Sequence, residues 1–437
     1  MHPCSSSPPP KRPRPSGFPA AAAANNNNNK NNDNSSDSED SLADFPDRQD
    51  LRRRTPAAFR HSAFARLIFR KGEAKTPLFT HQTFPPDGHA FGYSSLKVTL
   101  RYSHQLRVLA EQTWTEKLAD ADPLGDPLAR LQSTDVVAKC GSNGFTANAE
   151  EFARWVKMEE AEDANDFNQL PGRIVWQQQQ QDGKVDDCTI RWCDSLVHVR
   201  DLVGRCQALG FWQIETAEFV NHLDENFALL YSTTASDYKN VTDITGYLLL
   251  YKFRTLREKQ PYTWKICQIV TVPAFESRGL GRALIQCVHR EAGPDVYEAG
   301  VEDPCDMYQR LRLLIDAIAC EKQNIFFGLD LRILESMANA KTGRLPSEII
   351  DKARGELKIV AGQIQQCFEL AWRQTLQPSQ NVEAMTKFRQ TVKKRLYYDH
   401  EEELDRESPN FKDDLEQLFQ EQDVRYQETL GKLFFGN

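Results

Sequence analysis

The stretch Ala274–Ala292, AFESRGLGRALIQCVHREA, joins a loop's chemistry to a helix's periodicity. Gly279 and Gly281 stand one residue apart, with Arg278 and Arg282 beside them, and Ala283, Leu284, Cys287 and Val288 recur at helical spacing behind. A helix start carries unpaired backbone N–H groups and the positive end of the dipole, so an anion is favoured there. Glycines let that anion approach the backbone closely. A glycine pair alone fits a tight strand-to-helix turn equally well.

Three phosphate-bearing ligands compete for such a loop. A P-loop needs Gly-Lys-Ser/Thr after its glycines, and here Arg282-Ala283 follow. A dinucleotide fingerprint needs a third glycine where Leu284 stands, and no parallel strand–helix–strand unit of the right length precedes it. The pyrophosphate of coenzyme A asks for neither feature and fits the loop.

Working outward, YTWKICQIVTV (Tyr262–Val272) alternates as a strand and ends at Pro273, which cannot donate to a ladder. NFALLYSTT and TGYLLLYKF read as two strands before it. DVYEAGVED reads as a strand after the helix, and PCDMYQRLRLLIDAIAC as an amphipathic helix with Pro304 in its first turn. Between these last two lie Glu302 and Asp303. Asp303, before Pro304, fits an N-cap. Capping does not need Glu302. A lysine amine has a pKa of about 10.4 and must lose a proton before it attacks an acyl thioester. A partly desolvated glutamate at a strand end suits that task. Glu215, in the apolar run FWQIETAEF, is expected to be either paired or poised. Cys267 and Cys305 flank the region and read as buried core thiols.

The rest of the 437-residue chain suggests two or three domains. Residues 1–72 read as a disordered, low-complexity tail: a proline-rich basic run, an asparagine tract and the acidic serine tract SSDSEDSLAD. Lys11–Arg14 (KRPR) fits a nuclear-import signal as well as it fits a basic tail. Residues 73–200 read as a mixed α/β domain, with LKVTLRY a strand and RIVWQQQQQDGKVDDCTIRWC two strand arms around Asp182-Gly183. Residues 201–321 hold the glycine loop, and 322–437 are helical. There Phe411, Leu415, Leu418, Phe419, Tyr426 and Leu430 form one stripe, with Ser408 a candidate cap. The expected class is α+β. Net charge is −8, which argues against a direct nucleic-acid partner and suits a basic substrate. No apolar run reaches the roughly 18 residues of a membrane span, and no signal-peptide core is seen. The ten cysteines show no CxxC and the nine histidines no HxxxH or HExxH, so no zinc site is expected and the thiols read as reduced and intracellular.

The strand, the ESRGLG loop, the helix and the returning strand resemble motif A of the GCN5-related N-acetyltransferase superfamily. More narrowly, THQTFPPDGHAFGYSSLK, QIETAEF, GLGRALIQCVHR and EDPCDMYQRLR together resemble the family of type B histone acetyltransferase catalytic subunits. The resemblance runs from about Thr76 to near the C-terminus. It implies a central acetyltransferase fold between a mixed N-terminal domain and a helical C-terminal one, with acetyl-coenzyme A as co-substrate and no metal. It implies that Ile269, Val270 and Thr271 pair with the pantetheine arm. Glu276, Ser277, Arg278, Gly279, Leu280, Gly281 and Arg282 would hold the pyrophosphate. Glu302 would be the general base, with Glu215 and Asp303 as supporting carboxylates. Asp87, Phe227, Tyr251, Lys252 and Phe253 would hold the acceptor. The family acetylates lysines in the N-terminal tail of newly made histone H4, which comes with histone H3. It works with a WD40 chaperone of the retinoblastoma-binding type, in nucleus and cytoplasm.

Two departures stand out. Glu276 replaces the usual Gln or Arg, and PPDGH keeps only Asp87 of an acidic loop. Glu276 is expected to point outward, with Arg278 and Arg282 supplying the compensating charge. The alternatives are a related acetyltransferase acting on another protein or a small amine, and an inactive histone-binding scaffold.

Overall fold

A computed structural model describes residues 60–62, 64–69, 74–80, 89–118, 131, 144–163, 170–178, 187–220, 223–235, 241–377 and 381–435. Asp87, the KRPR run, the acidic serine tract and the Asp182-Gly183 turn lie outside these residues.

Strands begin upstream of residue 72. The N-terminal part holds β1 (Arg60–Ser62), β2 (Phe64–Ile68), β3 (Ala74–Lys75), β4 (His89–Phe91), β5 (Tyr93–Ser94), β6 (Lys97–Tyr102), β7 (Val108–Thr113), β8 (Glu116–Lys117) and β9 (Phe145–Thr146). Five of them form a sheet in the order β3-β2-β6-β7-β9. β2 belongs there because it can bury Leu67, with Phe69 just beyond it, against the inward side of β6. In β6 the expected alternation is met: Val98, Leu100 and Tyr102 are buried while Lys97 and Arg101 face solvent. Helix α1 (Ala149–Asp163) sends Glu159 inward, where Ser103 Oγ (2.8 Å) and Arg107 Nη1 both donate to its carboxylate.

The central sheet has six strands in chain order: β10 (Arg173–Gln178), β11 (Cys188–Cys193), β12 (Phe227–Ala235), β13 (Thr242–Arg254), β14 (Tyr262–Thr271) and β15 (Val296–Val301). Neighbours are antiparallel except β14 and β15, which run parallel through a helical crossover. The two arms expected around the glutamine run are β10 and β11, and they pair.

Helix α2 (Arg200–Gly210) covers one face of the sheet, packing Val203, Cys206 and Leu209 on Leu229, Tyr231, Tyr247 and Leu249. The same core takes in Val98 and Leu100 of the N-terminal sheet. His104, beside β6, joins the sheets directly: its ring contacts Asp243 at 2.5 Å, and its carbonyl accepts the Ile244 N–H. The opposite face is covered by α3 (Leu280–Glu291) and α4 (Asp306–Lys322), through Leu284, Val288 and Ile315 on Leu230, Leu248 and Ile266.

The C-terminal part is helical: α5 (Leu331–Met337), α6 (Ser347–Leu357), α7 (Ala361–Leu376), α8 (Val382–Asp399) and α9 (Phe411–Phe435). They enclose Phe368, Trp372, Phe388 and Tyr426. The expected stripe holds, with Phe419, Tyr426 and Leu430 buried and Leu415 and Leu418 packed beside them. α9 begins at Phe411, two residues later than a Ser408 cap would start it: Asp413 and Asp414 N–H donate to Asn410 O instead. The buried Glu369 carboxylate is satisfied by Arg395 (2.7 Å) and Tyr426 Oη (2.7 Å), as a buried charge requires. The chain is thus α+β, with a mixed sheet at its centre and helices at its C-terminal end. Among the described residues no helix is long and apolar enough to cross a membrane.

Candidate active site

β14 and β15 run side by side only from Tyr262↔Val296 to Ile266↔Val301. Beyond Ile266, β14 continues to Thr271 on its β13 partner alone. Cys267 is an extra residue at this point, because Ile266 faces Leu250 while Gln268 already faces Leu249. Such a bulge bends the strand and re-aims its side chains. A wedge therefore opens, with Ile269, Val270 and Thr271 on its β14 side.

Past the end of β14, a short 3₁₀ turn (Pro273–Phe275) leads into the glycine loop. Glu276 is extended and exposed, as its charge requires beside an anion site. Ser277 (φ 61°) and Gly279 (φ 80°) are left-handed, a conformation that glycine adopts without penalty. Gly279 caps α3 with no side-chain hydrogen bond, and the first intrahelical bond is Ala283 N–H to Gly279 O at 3.0 Å. The N–H groups of Leu280, Gly281 and Arg282 thus precede any intrahelical acceptor. A cavity of about 270 Å³ lies over this helix start, lined among others by Trp176, Thr245, Phe275, Arg278, Gly279 and Arg282. The Arg278 guanidinium stacks 5.2 Å from the Phe275 ring centroid.

Glu302 follows β15 directly, its N–H donating to Ile266 O at 3.4 Å where the strands begin to part. It is half-buried. Burial pushes its carboxyl above the usual range, Lys265 pulls it back, and Asp303 and Glu218 push it further up. The neighbouring Cys267 thiol is pushed up to about 12, by burial first and then by the charge of Glu302, so it stays protonated and is a poor nucleophile. Cys305 is exposed and Cys267 only half-buried, so neither is the buried core thiol that the sequence suggests.

Asp303 is not a helix cap. α4 starts at Asp306 with Cys305 in the cap position, and Pro304 lies outside the helix. A residue before proline is pushed out of the right-handed helical region, and Asp303 takes the left-handed one instead (φ 42°).

Glu215 differs in its surroundings from the apolar setting its sequence suggests. It is exposed on the segment after α2 rather than set among apolar groups. Three residues on, Glu218 is the member of this segment whose charge reaches Glu302. The segment is fastened to the sheet and to α2: Gln268 Nε2 donates to Glu218 O (2.8 Å), Tyr247 Oη to Gln268 Oε1 (3.1 Å), and Val220 N–H to Gln207 Oε1 of α2 (2.7 Å).

Phe227, Tyr251 and Phe253 come together. Phe227 pairs with Tyr251 across β12 and β13 with ring centroids 4.6 Å apart, and Phe253 stands edge-on to Tyr251 at 4.4 Å. Burial and the charge of Asp224 push the Tyr251 phenol upward. Lys252 is not part of this face. Strand alternation turns it to the opposite side, where Nζ meets Asp194 Oδ1 at 2.7 Å and lies 5.6 Å from the Trp192 ring centroid. The groups not anticipated from sequence are Lys265, Glu218 and Asp224. A lysine inside the apolar run TWKICQIV was the visible signal for the first.

Strands that part around a helix with a bare start are consistent with the GCN5-related N-acetyltransferase core that the sequence motifs resemble. Residues 62–215 match the family model described as "Histone acetyl transferase HAT1 N-terminus". The chain is similar to proteins named histone acetyltransferase type B catalytic subunit. The Mus musculus protein is 26% identical over 255 residues, 56% of this chain and 58% of its own length. The Homo sapiens protein is 25% identical over 254 residues with the same shares. That of Gibberella zeae is 24% identical over 395 residues, 76% of this chain and 80% of its own. The chain thus spans 58% of the length of the mouse and human relatives it matches. These matches show the resemblance that the four sequence motifs carry.

Proposed function

We propose that the protein is a histone lysine N-acetyltransferase that moves acetyl from acetyl-coenzyme A directly to lysines in the N-terminal tail of newly synthesised histone H4. The observation that carries the reading is the placement of Glu302, a half-buried carboxylate at the strand end where the sheet opens. The matched relatives carry the name of this activity. Acetyl-coenzyme A supplies the acetyl thioester. The first-turn N–H groups of α3, with Arg278 and Arg282, suit its pyrophosphate, and the open edge Ile269–Thr271 suits its pantetheine arm.

Glu302, ionised, accepts the proton of the incoming ammonium, directly or through water, and the free amine attacks the thioester carbonyl; the C–S bond then breaks, and coenzyme A leaves as its thiol with the proton that the new amide nitrogen gives up. Backbone N–H groups near Val270 polarise that carbonyl. Asp303 and Glu218 add negative charge that draws a cationic lysine inward, and Glu215 belongs to the same acidic rim. The aromatic face Phe227–Tyr251–Phe253 holds the aliphatic part of the tail, with Asp87 and the 73–200 region contributing to its groove. Histone H3 accompanies H4, a WD40 chaperone of the retinoblastoma-binding type is the expected partner, and the protein works in nucleus and cytoplasm.

Titration with acetyl-coenzyme A by calorimetry tests the enzyme reading, which fails if no binding heat appears. Glu302→Gln tests the base: kcat for an H4-tail peptide should fall by about 10²–10⁴ with acetyl-coenzyme A binding kept. An unchanged rate would place the base elsewhere.

A further inference from the structure

Lys265 stands opposite Gly300 where β14 and β15 still pair, and opposite Tyr251 on the other side. Residues two apart on a strand share a face, so Lys265, Gly300 and Glu302 lie on the same side of the sheet. Gly300 leaves the backbone bare here, and a Cβ in its place would be tightest against Val360 Cγ1, at 3.0 Å. A Cβ there would stand 3.9 Å from Lys265 Cδ and 4.0 Å from Nζ, so the lysine stem lies across Gly300 and its head group sits over that residue. Glu302 follows two residues further along the same strand end.

Among the described residues, the charges that face Glu302 come from three elements. Asp303 belongs to its own turn, Glu218 to the segment after α2, and Lys265 to β14. The fourth titratable neighbour is Cys267, whose thiol is neutral at physiological pH. Lys265 is the positive member of this set. Asp303 and Glu218 push the Glu302 carboxyl up while Lys265 pulls it down, and only the ionised acid can accept the substrate's proton.

We propose that Lys265 is a positioning residue for acetyl transfer: laid across Gly300 on the face that leads to Glu302, its ammonium sets a positive charge against those of Asp303 and Glu218 at the site of proton transfer. This rests on Glu302 being the general base. A lysine that merely packs against the sheet would leave the pH dependence of the reaction unaltered.

The test compares wild type, Lys265→Met, Lys265→Arg and Glu302→Gln as full-length proteins. It follows kcat/KM for an H4-tail peptide with acetyl-coenzyme A from about pH 6 to about pH 9. Without the cation the carboxylate gains its proton more readily, so the deficit of Lys265→Met is greatest in acid. The expected loss is about tenfold at the acid end and no more than about twofold at the alkaline end. Lys265→Arg keeps the wild-type profile within about twofold. Should Lys265→Met not fold, Lys265→Gln carries the same comparison. A deficit that is equal at every pH, or no deficit, overturns the role of Lys265. If Glu302→Gln is inactive while Lys265→Met follows the wild-type profile, the Lys265 role alone fails. If Glu302→Gln keeps the wild-type rate, the general-base reading fails and this inference with it.

Discussion

Gly210, the last residue of α2, packs against Tyr247 of the central sheet. A methyl group there would overlap the Tyr247 hydroxyl oxygen, while standing 3.6 Å from Cζ and 3.7 Å from Gln268 Oε1. Tyr247 is fully buried and cannot swing aside, and its hydroxyl donates to Gln268, whose amide holds the segment carrying Glu218. In Gly210→Ala the hydroxyl must move and its bond is lost. Leaving a buried polar group unsatisfied costs about 1–3 kcal/mol, and overpacking a core costs about 1–3 kcal/mol more. The two losses share one displacement, so the expected total is about 2–4 kcal/mol. Tyr247→Phe removes the clashing oxygen and leaves a methyl at 210 in ordinary contact with the ring. In that background the Gly210→Ala change should cost less than about 0.5 kcal/mol, since alanine is the better helix former. Urea denaturation of wild type, both single variants and the double variant measures the coupling. Equal costs of Gly210→Ala in the two backgrounds would refute the clash.

Lys252→Ala should leave the KM for an H4-tail peptide unchanged, because its side chain faces Asp194, whereas Tyr251→Ala should raise it about fivefold or more. Gly279→Ala meets no atom within 4 Å but must hold φ at 80°, so it should keep the fold, lose about 1–2 kcal/mol, and weaken acetyl-coenzyme A binding by calorimetry. Lys393, with Arg389 beside it, holds the Glu416 carboxyl down at about 2 against an ordinary 4.5. A depressed carboxyl stabilises the fold above its unfolded pKa, and that contribution disappears as pH falls from 4.5 through about 2. Glu416→Gln should therefore lower the urea midpoint at neutral pH by the equivalent of at most about 1 kcal/mol, with the difference vanishing in acid.

The glycine loop was legible because its meaning is local: a strand ended by proline, a pair of glycines and a helical repeat can be read within twenty residues. The acidic groups around Glu302 were legible only in part. Glu215 and Glu218 lie in an irregular segment with no period to say which one turns toward the sheet, and the anchor through Gln268 is a contact across 50 residues. Lys252 was readable in principle, since alternation sets it against Tyr251 and Phe253. Cys267 shows the opposite limit: the bulge that re-aims β14 depends on its pairing with β13, and no residue type marks it. β2 was hidden because five residues are too few for a period to stand out beside a polar tail.

The two edges of the central sheet differ. Along β15, the Ala299 N–H donates to Lys358 O (2.7 Å) and Ala299 forms a bridge with Ile359. Tyr297 is clasped there between the guanidinium groups of Arg257 and Arg354, 3.7 Å and 4.5 Å from its ring centroid. β10, at the other end, pairs with β11 alone among the described residues. Outside the short wedge at Ile269–Thr271, the described sheet then has one full-length open edge, β10: if two copies ever met strand to strand through it, each would spend that edge on the other. Growth through this sheet would then end at a pair, and a fibre could not propagate from it.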